Sequence, residues 1–173
     1  VDSVAVGIFA ASFFAAELLM STPFGLLSDR LGPHRVMQLG PAFGCVAVVL
    51  TWLTTNLWLL GGTRVLEGLS TAASVPSILG FIAVITAGDE LLRGRAAARF
   101  EGATLAGRGG GLVAAGPAWQ VLGPNGFLLN AGVYAISFLI YRFGVPGEPG
   151  EAEMIRAPHP GFARYLAILR SSH

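Results

Sequence analysis

The chain contains no lysine, a single cysteine, and charged residues at only 12% of its length. Each shortage excludes something. A soluble domain carries about 25% charged residues. This chain has half that share, with 53% apolar residues and a mean hydropathy of +0.65, so the solvent it implies is lipid. Cys45 sits in an apolar run and has no second cysteine to pair with, so it says nothing about the redox compartment. Net charge is +1, which leaves no basic face to neutralise phosphates and argues against nucleic acid as a partner. His34, His159 and His173 lie far apart with no ligand spacing, so neither a metal nor a cofactor is expected. All eleven basic residues are Arg, and with abundant Ala and Gly this is the usage of a GC-rich bacterial genome. No basic segment precedes a short apolar core, so there is no signal-peptide pattern.

What is present is a series of long apolar runs. A helix needs ~20 apolar residues to cross a bilayer at about 1.5 Å per residue. Five spans are expected, at 3–27, 36–54, 57–86, 97–122 and 126–144. Thr-Thr-Asn at 54–56 and Gly-Pro-Asn-Gly at 123–126 mark tight turns between them. The spans make 1–144 a transmembrane bundle. Residues 145–173 begin as a Pro/Gly/Glu-rich linker and end in an amphipathic segment with Phe162, Leu166 and Leu169 on one side. The fold class expected is all-α, a polytopic integral membrane helical bundle.

Orientation follows from arginine. Arg30 and Arg35, then Arg93, Arg95 and Arg99, then Arg142, Arg156, Arg164 and Arg170 fall on alternate connections, and 54–56 and 123–126 carry none. The positive-inside rule places the arginine-bearing side in the cytoplasm, with the N-terminus out and the C-terminus cytoplasmic. A chain that starts outside, at a residue nearly within a span, reads as a fragment lacking a helix before Val1. The soluble all-α alternative leaves this arginine asymmetry without a cause.

Glu17, Arg64, Glu67 and Arg108 are ionisable residues set deep within spans rather than in loops. Each is expensive at the bilayer centre, ~2.5–3.5 kcal/mol for Arg on insertion scales, and such groups face a bundle interior and pair. Arg64 and Glu67 are three apart and share a helix face. Two readings stand: a substrate or proton cavity, or a structural ion-pair network joining the first, third and fourth spans. The run GRGGG at 107–111 is expected to let helix backbones approach closely. Pro41, Pro76 and Pro117 are expected to kink their spans. Trp52, Trp58 and Trp119 fall towards the outer ends, where an aromatic belt forms.

The stretch GLLSDRLGPHRVM, from Gly25, resembles the loop between transmembrane helices 2 and 3 of the major facilitator superfamily, whose pattern is Gly-x-Leu-(Ala/Ser)-Asp-Arg-x-Gly. Gly25, Leu27, Ser28, Asp29, Arg30 and Gly32 match, while Pro33 and His34 stand where basic residues are usual. RVLEGLSTAA, from Arg64, is similar to the helix 4 pattern Arg-x-x-Gln-Gly-x-x-x-Ala, with Glu67 in place of Gln. GDELLRGRAAAR, from Gly88, resembles the loop between helices 4 and 5, and AAGPAW resembles the Gly-Pro motif of antiporters in this family, without its flanking glycines.

The resemblance implies that the five spans are helices 2 to 6 of an amino-terminal six-helix half, with a carboxy-terminal half missing. It implies a secondary active transporter that moves a small solute by alternating access, with proton coupling through Arg64 and Glu67. It implies no enzyme chemistry, a bacterial cytoplasmic membrane, and lipids, solute and protons as partners. Gly25, Asp29, Arg30, Gly32, Arg35, Asp89 and Arg93 would form a conformational latch. In it Gly25 admits another helix, Gly32 makes the turn, and Arg35 reaches Asp89 or Glu90. Gly116 and Pro117 would bend helix 5. The same superfamily also contains non-transporting subunits and assembly factors of larger membrane complexes, which is the second reading.

Overall fold

The computed structural model describes residues 3–147, and these are helical almost throughout. The helices are α1 (Ser3–Leu31), the short α2 (Pro33–Met37), α3 (Leu39–Leu53), α4 (Leu57–Ile85), α5 (Glu90–Leu122) and α6 (Gly126–Leu139). A single 3-10 turn, Gly123–Asn125, joins α5 to α6, and a π turn, Ile140–Gly144, ends α6. Four stretches of the described residues are long and apolar enough to cross a membrane: Ser3–Leu31, Pro33–Leu53, Leu57–Ile85 and Glu90–Gly144. The last is 55 residues, too long for one crossing of a hydrocarbon core about 30 Å thick. Gly123, at φ 52°, breaks it where Gly-Pro-Asn-Gly marks a turn. The linker from residue 148 onward and the amphipathic segment with Phe162, Leu166 and Leu169 lie outside the described residues, as do Arg156, Arg164 and Arg170.

In lipid, backbone polar groups need partners within the chain, and helices supply them. The ends are closed by specific residues. Asn56 caps α4, its side-chain oxygen accepting from the Trp58 N–H at 2.9 Å. Asp89 caps α5, accepting from the Leu92 N–H at 2.8 Å. Two boundaries differ from the sequence expectation. α1 runs on through Asp29 and Arg30 to Leu31, so those residues are helical and the break is confined to Gly32, at φ 88°. α5 begins at Glu90, seven residues before the apolar run, because the Asp89 cap starts the helix ahead of the hydrophobic segment.

α4 is the centre of the bundle. It packs most extensively on α1, then on α3, and α3 packs on α6. Along the helix seams most buried residues are small: Ala16, Ala47, Ala72, Ala73 and Ala131, with Thr51, Thr63, Ser70 and Ser77, while the larger buried residues are Val36, Met37, Val48 and His34. Large apolar side chains point outwards instead, among them Trp58 at 90% and Leu112 at 81% exposure. Helices in lipid associate through close packing of small residues rather than by hiding large ones from water, and this distribution follows that rule.

The close approaches occur at glycines other than those expected. A Cβ on Gly68 of α4 would strike the Phe13 carbonyl of α1, and one on Gly44 of α3 would strike the Tyr134 ring of α6. Gly40 lies against Ser74 and the Ser70 carbonyl in the same way. Gly107, Gly109, Gly110 and Gly111 have no neighbouring atom within 4 Å among the described residues, because α5 buries none of its residues and touches little of α4 and α6. Pro41 also departs from expectation. It stands in the first turn of α3, where a missing N–H is no loss, whereas Pro23, Pro76 and Pro117 lie inside helices.

Candidate functional site

α4 is uncharged from end to end except for one pair. Arg64 donates from Nη1 to Oε2 of Glu67 at 2.7 Å, with side chains 32% and 18% exposed. The spacing of three residues sets both on one face, so α4 alone makes this contact. Neutralised as a pair, the two charges are far less expensive to hold in a membrane than either alone. The site is built outward from there. One turn on, the Ser70 hydroxyl donates to the Gly40 carbonyl of α3 at 2.6 Å. Thr71 donates back to the Glu67 carbonyl at 3.3 Å. From α6, Tyr134 lies over Gly44 and is close enough to Glu67, Arg64 and Ser70 to interact with all three.

The four residues expected in the cavity are only partly brought together. Glu17 is half-buried on α1, where its backbone N lies 3.1 Å from the place a Gly68 Cβ would occupy. Its side chain makes no ion pair among the described residues, and Ser21 donates to its carbonyl at 2.6 Å. Arg108 is exposed on α5 and pairs with no carboxylate among the described residues. Glu67 pairs with Arg64 instead, and α5 makes little contact with α4. Tyr134 and Ser70 were not anticipated. Their only signal in the sequence is a polar residue within an apolar run, which is too common to single them out.

The latch residues are distributed as follows. Asp29 and Arg30 are exposed in the last turn of α1. A Cβ on Gly25 would meet no atom within 4 Å among the described residues, so no close helix contact is made on that side. Gly32 makes the turn with a φ that L side chains rarely adopt. Arg35 lines a polar cavity with His34, Gln38 and Arg142. Asp89 accepts from its own helix at the cap, and Arg93 is exposed one turn on, its N–H bonded to the Asp89 carbonyl at 3.0 Å. Gly116 and Pro117 lie within a continuous α5. His34 is a residue the sequence left unassigned. It is 8% exposed, and its Nε2 lies 3.1 Å from both the Tyr141 and Val145 carbonyls, so it donates to the end of α6.

A bundle with small residues inside, large apolar residues outside and a neutralised charge pair on its central helix is an all-α integral membrane protein. The pattern of the Major Facilitator Superfamily matches residues 1–173, and the chain belongs to that family. An uncharacterized transporter of Schizosaccharomyces pombe is 26% identical over 163 residues, covering 88% of this chain and 32% of that protein. The multidrug resistance protein MdtG of Proteus mirabilis is 32% identical over 72 residues, 42% of this chain and 18% of that protein. The chain therefore spans at most about a third of the length of these two relatives. No solved structure matches it. The resemblance carried by GLLSDRLGPHRVM is thus borne out at the level of family and fold class.

Proposed function

We propose that the chain is part of a secondary active transporter that moves a small solute by alternating access, and that Arg64 and Glu67 line its cavity. The observation that carries this reading is the 2.7 Å ion pair on the central helix, beside Tyr134 and Ser70. A carboxylate paired to an arginine within one helix can exchange that partner for a proton or a polar solute without moving the backbone. Tyr134 and Ser70 supply hydroxyls beside it. Family membership and the names of both relatives support transport. The Gly116–Pro117 step supports exchange of solute against protons, and the name of the Proteus protein supports an apolar, drug-like solute. In this reading five helices cross the membrane with the arginine-bearing ends in the cytoplasm of a bacterial cell. No covalent chemistry takes part.

The test uses the full-length protein in proteoliposomes with a trapped pH-sensitive dye and a panel of lipophilic cationic dyes as solutes. Glu67→Gln is expected to abolish the coupling of dye movement to the pH gradient. PH-driven transport that persists unchanged in this variant would sink the proton role of Glu67.

One observation favours the second reading, a subunit or assembly factor of a larger membrane complex. α5 buries none of its residues and carries Glu101 and Arg108 in the open, so something other than lipid must cover it. In a transporter the remainder of a longer chain does this; in a complex another subunit does. Purification in mild detergent separates the two. A protein that runs as its own single chain supports transport, and a stoichiometric second polypeptide supports the subunit.

A further inference from the structure

α6 reaches the Arg64–Glu67 pair through a side chain rather than by packing. It lies against α3 and hardly at all against α4. Its Tyr134 is nevertheless within interaction range of Glu67, Arg64 and Ser70 on α4. Two glycines open the path. Gly40 and Gly44 are four apart and share one face of α3. Gly40 sets that face against Ser70 and Ser74 of α4. One turn on, a Cβ on Gly44 would strike Cδ1, Cε1 and Cζ of Tyr134, the ring edge that leads to the hydroxyl. The ring therefore fills a notch on the α4-facing side of α3, and its hydroxyl is carried towards the pair. The protons on these hydroxyls can be counted. Ser70 Oγ is 2.6 Å from the Gly40 carbonyl, which has no proton to give, so Ser70 donates there. Its one proton is committed, and towards Tyr134 the buried Ser70 can only accept. With its own proton directed to Ser70, the Tyr134 oxygen remains an acceptor. A carboxylate has no proton to offer that oxygen, whereas a protonated carboxyl has one.

We infer, resting on the reading of Glu67 as the proton carrier, that Tyr134 is a positioning residue that accepts a hydrogen bond from protonated Glu67 and so passes its proton state to α6. Glu67 then stands between two partners of opposite preference. Arg64, at 2.7 Å, favours the ionised carboxylate, and the phenol oxygen, as an acceptor, favours the neutral carboxyl. In the loading step a proton from the aqueous side bonds to a Glu67 oxygen. Arg64 keeps its charge, and the new O–H donates to Tyr134 Oη. The neighbouring helices bring few rivals. α3 carries no charged side chain, and its Cys45 thiol is turned to the Ala131 carbonyl at 3.7 Å. Tyr134 is the one ionisable residue of α6. From α1, Glu17 is half-buried with its backbone beside Gly68, the residue after Glu67. From α2, His34 meets α4 at Phe81, and Arg35 follows it; that contact is fourteen residues from Glu67, or roughly 21 Å along the helix. Arg108 is exposed on α5, which touches little of α4.

The test is infrared difference spectroscopy of the full-length protein, titrated with pH. Protonated Glu67 is identified as the carboxylic C=O band that E67Q removes. Y134F keeps the ring and loses the acceptor. Its band should move in frequency, and its titration midpoint should fall by about 0.5–1 pH unit, the worth of one net hydrogen bond to the protonated form. S70A leaves the Tyr134 proton without its acceptor and free to turn towards ionised Glu67, so its midpoint should fall as well. Thermal melts in detergent check that the variants fold, and S70A decides the matter if Y134F does not. A midpoint that is unchanged or raised in the folded variant overturns the inference alone, a rise meaning that Tyr134 donates to the ionised carboxylate instead. Absence of an E67Q-sensitive band at every pH, or pH-driven dye transport that persists in E67Q, overturns it together with the proton role of Glu67.

Discussion

Gly68 and Gly109 are the same residue in the same kind of element, yet they do opposite things. At Gly68, α1 comes so close that an added Cβ would meet the Phe13 carbonyl, with the Ala16 Cβ at 2.9 Å. Gly109 has open space around it among the described residues. Gly68→Ala is expected to destabilise by about 1–3 kcal/mol through overpacking. Gly109→Ala should be neutral or stabilising by up to about 1 kcal/mol, since Gly weakens a helix interior relative to Ala. Thermal melts of the two variants in detergent distinguish them, and an equal response would show that the α1–α4 contact is not the tight one. Sequence could not sort these residues. A run such as GRGGG reads as packing material, whereas the glycine that packs stands alone between Glu67 and Leu69. What decides is which neighbour arrives, and that is a property of the assembled helices.

Besides the Ser70–Gly40 bond, α3 and α4 share a polar contact near their connecting turn. The Thr51 hydroxyl of α3 lies 2.9 Å from that of Thr63 on α4, both buried near the 54–56 turn. A double-mutant cycle with Thr51→Val and Thr63→Val should give a coupling of ~0.6 kcal/mol, the typical value between membrane helices. A coupling of zero would mean that each hydroxyl is content with its own helix carbonyl, Ala47 for Thr51 and Leu60 for Thr63. At the start of α5, Asp89 serves as cap. Asp89→Ala should destabilise by about 1 kcal/mol and Asp89→Ser by much less, because Ser caps as well without the charge. If Ser were as damaging as Ala, the charge of Asp89 would matter beyond the cap. Helices at this scale were legible: the apolar runs, Thr-Thr-Asn and Gly-Pro-Asn-Gly mark where α3, α4, α5 and α6 end or begin. The start of α5 was not, since a cap outside the apolar run has no hydrophobic signal.

For the whole molecule, the family signature was readable from a dozen residues because Gly32 and the charges flanking it occupy fixed positions in a short pattern. The site was less so. Arg64 and Glu67 were visible as charges in an apolar run, and their spacing fixed a common face. The position of Arg108 depends on how α5 stands to the bundle, which no periodicity records. Asp29 is exposed at the end of α1, where it can meet a partner beyond the described residues. In the full-length protein, Asp29→Asn is expected to change the labelling of a single cysteine on the arginine-bearing side by several-fold, with little effect on the melt. Unchanged labelling would remove Asp29 from any conformational role.

The corner at Gly32 has a mechanical consequence. Gly32, Pro33, His34, Val36 and Met37 are all buried, and His34 ties that corner to the last turn of α6. A connection of this kind cannot act as a slack tether. It is a stiff link, so that any tilt of α1 would be passed to α3 and to the end of α6 together.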